Sequence, residues 1–251
     1  MNNLKGKVAI VTGGGRDIGS QVSILLAQAG AKVCFNYFGS DDQANQTKKT
    51  IEDAQGEVIA FQGDMTNAEE VQKMVSTCVE HFGEQIDIVV NVVGGLVARK
   101  TIEEMDEEFW DFVMDVNLKS AFLVSKYAVP FMSKGGSIVN FSSQAARDGG
   151  GPGAIAYATA KGAVLTFTRG LAKELGPKGI RVNAVSPGMI ATTFHDTFTK
   201  SEVREKVAGM TPLRREGQAA EVAQLVLFLA SSDASFVTGS SMEINGGTYF
   251  I

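Results

Sequence analysis

Tyr157 and Lys161 stand four residues apart in the stretch Tyr157-Ala158-Thr159-Ala160-Lys161. On a helix that spacing puts both side chains on one face. A lysine ammonium beside a phenol favours the phenolate and pulls the phenol down from its ordinary value of about 10. A phenol tuned in this way can give a proton to a carbonyl oxygen as hydride reaches the carbon, and take it back in the reverse direction. Upstream, Ser142 and Ser143 close an apolar run, where a hydroxyl can hydrogen-bond and polarise the same oxygen. Near the start, "TGGGRDIG" (12–19) follows another short apolar run. Glycines there let backbone approach a pyrophosphate, and a following helix offers free N–H groups and its positive dipole end. Singly these signals are weak. A Tyr-x-x-x-Lys pair also occurs on solvated helix faces, and a glycine turn also joins a strand tightly to a helix.

The surrounding pattern alternates strand and helix. Val8–Val11 reads as a strand, and 17–29 as a helix with Ile18, Val22, Leu25 and Leu26 on one face. Lys32–Tyr37 is a second strand, 41–55 an exposed helix, and Glu57–Gln62 a third strand. Val71, Met74, Val75, Cys78, Val79 and Phe82 follow the helical spacing rule, with Asn67 placed to cap that helix. Ile86–Val90 is apolar except for Asp87, close to what a strand buried on both faces requires. Helices over about 106–117 and 119–133 lead to a strand at Ser137–Phe141. A helix over about 155–175 stops at Gly176-Pro177. A strand at Arg181–Val185, a polar stretch at 192–212, a helix at 218–230 and a strand at Ser241–Ile244 complete the order. This alternation predicts one α/β domain over 1–251, a Rossmann fold with a doubly wound parallel sheet of about seven strands. Ligands then bind outside the carboxyl ends of the strands, where each polar cluster falls.

The chain has 251 residues and a net charge of −5, with no long basic run. That gives no support to a nucleic-acid or anionic-membrane surface. Cys34 and Cys78 lie inside apolar patterns and read as small buried hydrophobes. Two histidines without a Cys/His cluster give no metal site. The opening Met-Asn-Asn-Leu-Lys-Gly-Lys lacks the apolar region of a signal peptide, and no run approaches a membrane span. A cytoplasmic location is the resulting expectation.

Taken together, the motifs resemble the short-chain dehydrogenase/reductase family, whose first turn reads T-G-x-x-x-G-x-G. Thr12, Gly13 and Gly19 match, while Asp17 replaces the middle glycine. The resemblance implies a nicotinamide dinucleotide cofactor. It places Gly13, Gly15, Arg16, Asp17, Ile18 and Gly19 at the nucleotide, with Asp64 and Met65 at the adenine. Asn91-Val92-Val93-Gly94 stands where the family writes N-N-A-G, so Asn91 and Gly94 are carried over as cofactor contacts. Ser186-Pro187-Gly188 resembles the P-G turn beside the nicotinamide, which adds Pro187, Gly188, Ile190 and Thr192. The family's catalytic set maps onto Asn117, Ser143, Tyr157 and Lys161, with Asn117 propping a proton relay to the lysine. Ser143 lies fourteen residues before Tyr157 rather than the family's thirteen, and "RDGGGPGA" has room for the extra residue.

The family selects NADH with an acid at the end of the second strand, where this chain has Tyr37. Arg16 stands where a base favours the 2′-phosphate of NADPH, but Asp17, Asp41 and Asp42 repel it, so neither nucleotide is preferred. Asp17 reads as an N-cap accepting the N–H of Gly19 or Ser20 and facing away from the pyrophosphate. At about 6 Å its repulsion of a phosphate is ~0.7 kcal/mol in water and ~3 kcal/mol at an effective dielectric of 20.

Two loops are less generic. "GGLVARK" (94–100) and "GGGPG" (149–153), with Phe194-His195, resemble reductases of the alginate-derived sugar 4-deoxy-5-hexoseulose uronate. The resemblance implies a carboxylate-bearing aldehyde reduced to 2-keto-3-deoxygluconate. Gly95, Arg99, Arg147, Ser143 and His195 become candidate substrate contacts, with Lys100 a further cation, since guanidinium binds carboxylate bidentately. Each is equally readable as a solvated surface group, and His195 as a cap of the 192–212 segment. That segment could form a lid. A 3-oxoacyl thioester on carrier protein is the competing substrate, which the net negative charge disfavours. A non-catalytic nucleotide-binding protein is the alternative of another class, which the complete catalytic set disfavours. Family resemblance and the apolar ending Tyr249-Phe250-Ile251 point to a homotetramer.

Overall fold

Mostly apolar runs form the inner strands of one sheet. In the computed structural model, which describes residues 4–250, β1 (Val8–Thr12) and β4 (Ile86–Asn91) are buried along their whole length. The chain follows these elements in order: β1, α1 (Asp17–Gln28), β2 (Lys32–Tyr37), α2 (Asp41–Asp53), β3 (Val58–Gln62), α3 (Ala68–Phe82) and β4. Then come α4 (Glu107–Met114), α5 (Ser120–Ala128), β5 (Met132–Phe141), α6 (Ala145–Asp148), α7 (Ile155–Leu175) and β6 (Arg181–Pro187). The last third holds β7 (Ile190–Ala191), α8 (Thr193–Phe198), α9 (Ser201–Met210), β8 (Gly217–Gln218), α10 (Ala219–Ala230) and β9 (Ser241–Ile244).

Seven strands form a parallel sheet in the order β3-β2-β1-β4-β5-β6-β9. Strand order reverses between β1 and β4, so a crevice opens at the carboxyl ends of those two strands. One apolar core lies under α1 and α10 and includes Val22, Leu26, Phe35, Val222 and Leu229. The other lies under α3, α5 and α7 and includes Val71, Met74, Leu123 and Leu175. Both cysteines are free and buried in that second core.

Local signals hold the ends. Asn67 Oδ1 accepts the N–H groups of Glu69 and Glu70 and so starts α3. Gln218 and Glu221 form a reciprocal capping box on α10. Three differences from the sequence reading matter for the site. The helix expected over 106–117 gives way to a π-helical turn at Asp115–Lys119, which continues into α5. β5 begins at Met132, earlier than expected, because its first residues pair with Ile86 at the β4 entry. The polar stretch 192–212 is not loop but the helices α8 and α9, bracketed by the β7–β8 pair. Among the described residues no helix is long and apolar enough to cross a membrane.

Candidate active site

The phosphate turn is shaped by contacts that leave no room for side chains. A Cβ on Gly19 would sit 1.9 Å from Gly13 O, and one on Gly14 would sit 2.5 Å from Phe35 Cβ. Gly13 adopts φ +61°, a left-handed conformation. Gly15 lies against Ala44 and Tyr37, and Ile18 packs on the core beside α10. The turn is fastened to its neighbours by Asn36, which the motif reading passed over, and by Thr12, which it matched to the family without giving it a structural role. Asn36, buried in β2, accepts Gly13 N–H through Oδ1 and donates from Nδ2 to Gly63 O. Thr12 Oγ1 accepts the N–H groups of Val92 and Val93 at the end of β4. Their signal in the sequence is a polar residue inside an otherwise apolar strand. Such a residue must find partners when buried.

Asp17 departs from expectation. It does not cap α1: Arg16 holds the N-cap position and no side chain accepts there. Its backbone is left-handed, φ 49°, which turns the carboxylate across the cleft to Thr193. Arg16 is exposed, and its guanidinium also donates to Thr193 Oγ1. At the adenosine end Tyr37 is half-buried and Phe38 is exposed. Asp64 Oδ1 accepts Thr66 N–H and hydroxyl, a turn-forming use that leaves its other oxygen, and Met65 is buried beneath. Asn91 also differs: it points into the protein, where Nδ2 donates to Asn140 and Ser125 rather than fronting the crevice.

The catalytic candidates converge beyond β4 and β5. Lys161, buried on α7, donates from Nζ to Phe141 O at 2.8 Å and lies 5.8 Å from the Tyr157 ring centre. Burial brings its ammonium down to about 8. Tyr157 differs from the expected direction: crowding around its hydroxyl raises the phenol, and a hydrogen bond with Ser143 only partly offsets this. Ser143 is therefore the serine that meets the phenol. Ser142 is buried, its hydroxyl given to Lys161 O. The added residue of the Ser143–Tyr157 spacing is absorbed by glycines 149, 150 and 153, all at positive φ.

Asn117 sits in the π-helical turn, where the extra residue swings it toward β4. It accepts Gly95 N–H at 3.0 Å and donates to Gly95 O at 2.9 Å. A Cβ on Gly94 would sit 2.6 Å from both Asn117 Oδ1 and Lys161 Nζ. Gly94 thus leaves an open approach to the lysine and asparagine heads. On the far wall, Pro187 O accepts Gln144 N–H, and Gly188 packs against Asn245 with no space for a side chain. Ile190 is buried, and Thr192 follows β7 at the N-cap position of α8. The glycine turn before the N-terminus of α1 and the Gly94 opening both lie past the carboxyl ends of the strands, and both are free of side chains where a dinucleotide could approach.

The mouth separates the candidate substrate contacts. Arg147 is corrected to a structural role: it is ion-paired with Glu243 of β9 at 3.2 Å in a largely buried position. Lys100 is likewise given to Asp106 and the Phe109 ring. Arg99 is exposed and, among the described residues, hydrogen-bonds to backbone oxygens, Pro152 O at 2.9 Å and Phe198 O at 3.4 Å. His195 of α8 shares Nδ1 with Oγ1 of Thr199, the residue just past that helix, and burial together with nearby Arg204 lowers its pKa. Phe194 lies 6.0 Å from the Tyr157 ring centre and edges onto His195 and Phe198.

A family model described as enoyl-(acyl carrier protein) reductase matches residues 13–249. Among curated proteins, the 3-oxoacyl-[acyl-carrier-protein] reductase FabG of Staphylococcus aureus (strain N315) is 36% identical, covering 97% of this chain and 98% of its own. The chain belongs to the short-chain dehydrogenase/reductase family. Among solved structures, a family member from Serratia marcescens matches with TM-score 0.92 and 36% identity, covering 97% of this chain and 98% of its own. A blue fluorescent protein from a metagenomic library, in complex with NADPH, matches with TM-score 0.91 and 33% identity over 99% of this chain and all of its own. The chain is accordingly an oxidoreductase of this family that uses an NAD(P)-type dinucleotide.

Proposed function

We propose that this oxidoreductase reduces the carbonyl of a small carboxylate-bearing substrate, with an alginate-derived 4-deoxy-5-hexoseulose uronate as the best-fitting candidate. Bound nicotinamide supplies the hydride. Tyr157 gives its phenolic proton to the carbonyl oxygen, and Ser143, hydrogen-bonded to the phenol, orients the same oxygen. Lys161 places a cation beneath the phenol to stabilise the phenolate left behind. Asn117 holds Gly95 and so keeps the Gly94 opening above Lys161. Burial raises the phenol and so keeps it protonated, the form that donates the proton.

The observation that carries the substrate class is Arg99. Unlike Lys100 and Arg147, it forms no ion pair with a described carboxylate, and its planar guanidinium stands at the mouth. An uncompensated guanidinium favours a carboxylate ligand. His195, adjacent and neutral, is the candidate partner for a substrate hydroxyl. With no acid at Tyr37, the 2′-phosphate of NADPH meets no repulsion from the end of β2, so both nucleotides are expected to bind.

The test is a set of initial rates with NADH and NADPH on the uronate, simple sugar acids, neutral aldehydes and an acetoacetyl thioester. Oxidation of NAD(P)H by the uronate above the other carbonyls supports the reading. Preference for the thioester would move it to the FabG reaction. The exposed Phe112 of α4 and Phe122 of α5, with Phe250, support the homotetramer; Ile251 lies outside the described residues. A sedimenting mass of one chain would contradict it.

A further inference from the structure

The family pattern has glycine where this chain has Asp17, and the backbone there is left-handed, φ 49°. A left-handed non-glycine residue persists only where its surroundings hold it. Here the holding partner is one residue of α8. Thr193 N–H donates to Asp17 Oδ1 at 3.0 Å, and Thr193 hydroxyl donates to Oδ2 at 2.5 Å. Arg16 joins them, donating to Thr193 Oγ1 at 2.7 Å and lying 3.5 Å from Asp17 Oδ2. The next residue, Phe194, packs against the catalytic candidate Tyr157. Two side chains thus link the phosphate turn to the phenol through the start of α8.

We propose that Asp17 is a positioning residue, a latch between the phosphate turn and the α8–α9 roof that sets Phe194 on Tyr157 and retains bound nucleotide. The proposal rests on the reductase reading for the identity of the nucleotide. Its physical basis is threefold. Hydrogen bonds to an ionised carboxylate are stronger than neutral ones, and both Asp17 oxygens are used. α8 and α9 are tied to each other and to the segment before β8, because Arg204 of α9 is ion-paired to Asp196 of α8 and to Glu216. A nucleotide held on the turn would be covered by that roof, and its exit would then require the Asp17–Thr193 contact to open. With glycine at this position the turn keeps its shape and the tie to the roof is lost.

The experiment is stopped-flow release of NADPH from the wild type, Asp17→Gly, Asp17→Asn and Thr193→Val, with circular dichroism to confirm folding. Asp17→Gly is expected to release NADPH about tenfold faster, with Asp17→Asn and Thr193→Val in between. Trypsin should cut Asp17→Gly sooner at Lys200 or Lys206. The isotope effect on kcat with 4-deuterated NADPH should grow as release stops limiting turnover. Unchanged release and unchanged cleavage in a folded Asp17→Gly overturn the latch. If Asp17→Gly does not fold, unchanged release from Thr193→Val overturns it equally. Release is read without any carbonyl, so a protein that reduces nothing in the carbonyl panel still tests the latch. A wild type that binds neither nucleotide overturns both readings.

Discussion

Lys161 and Arg99 are two cations facing one cleft, and they are held in opposite ways. Lys161 is 3% exposed, in the first third of the 21-residue α7, with its ammonium fixed on Phe141 O. Arg99 lies on an exposed loop, held by two backbone oxygens from other exposed segments. The floor of the cleft is built from the core: β5, α7 and the π-helical turn place each group with buried contacts on several sides. The mouth and roof are built from loops and short helices joined by surface ion pairs. Burial at the floor shifts proton affinities, which chemistry needs, whereas exposure at the mouth keeps a charge available for a ligand. The contrast predicts separable failures: floor variants should damage turnover, and mouth variants should damage substrate affinity.

The largest expected effect short of altering Tyr157 is at Lys161. Lys161→Met should lower the reduction rate about 10³-fold while nucleotide still binds, read by steady-state rates and NADPH fluorescence. In the wild type the ammonium is lost as pH rises through about 8, so kcat/KM for reduction should fall above that pH. The sign for stability is opposite. Lys161 has a folded value below the ordinary 10.5, so between about 8 and 10.5 the unfolded chain binds more protons. Stability from this group therefore rises with pH across that window, and Lys161→Met should remove the rise in a series of denaturation curves.

An intermediate effect is expected at the mouth. Arg99→Ala should raise KM for a carboxylate-bearing substrate by about 10- to 100-fold, the worth of a charged hydrogen bond. Rates on a neutral aldehyde should change by less than about twofold. An equal loss on both substrates would erase the distinction between floor and mouth. The smallest effect is expected at Arg204, whose partners Asp196 and Glu216 lie at or near the surface. Arg204→Ala should cost about 1 kcal/mol or less in global stability, yet speed tryptic cleavage at Lys200 and Lys206.

Periodicity and turn chemistry made the floor legible before any coordinates. Apolar runs marked β1 and β4, the second interrupted by Asp87, and Tyr157 and Lys161 fell on one face of α7 because helical spacing is local. What stayed hidden were partners far away in the chain. Asp17 sits 176 residues from Thr193, and Arg147 sits 96 from Glu243, so no local pattern could show that both side chains were already used. The direction of the Tyr157 shift was hidden for a related reason. Spacing shows that a lysine is near, but the amount of protein packed around the hydroxyl depends on the whole fold. The π-helical turn at Asn117 was missed because a single inserted residue barely disturbs the apolar pattern around it.

The account centres on Tyr157 as the proton donor, and one single-turnover comparison tests it. Wild type and Tyr157→Phe are loaded with NADPH and mixed with a carbonyl substrate in a stopped-flow instrument. The account predicts rapid loss of NADPH fluorescence in the wild type. In Tyr157→Phe it predicts nucleotide bound with comparable affinity but oxidised at least about 10²-fold more slowly. Oxidation by Tyr157→Phe at the wild-type rate would show that the proton comes from elsewhere, and the catalytic assignment built on the floor would fall with it.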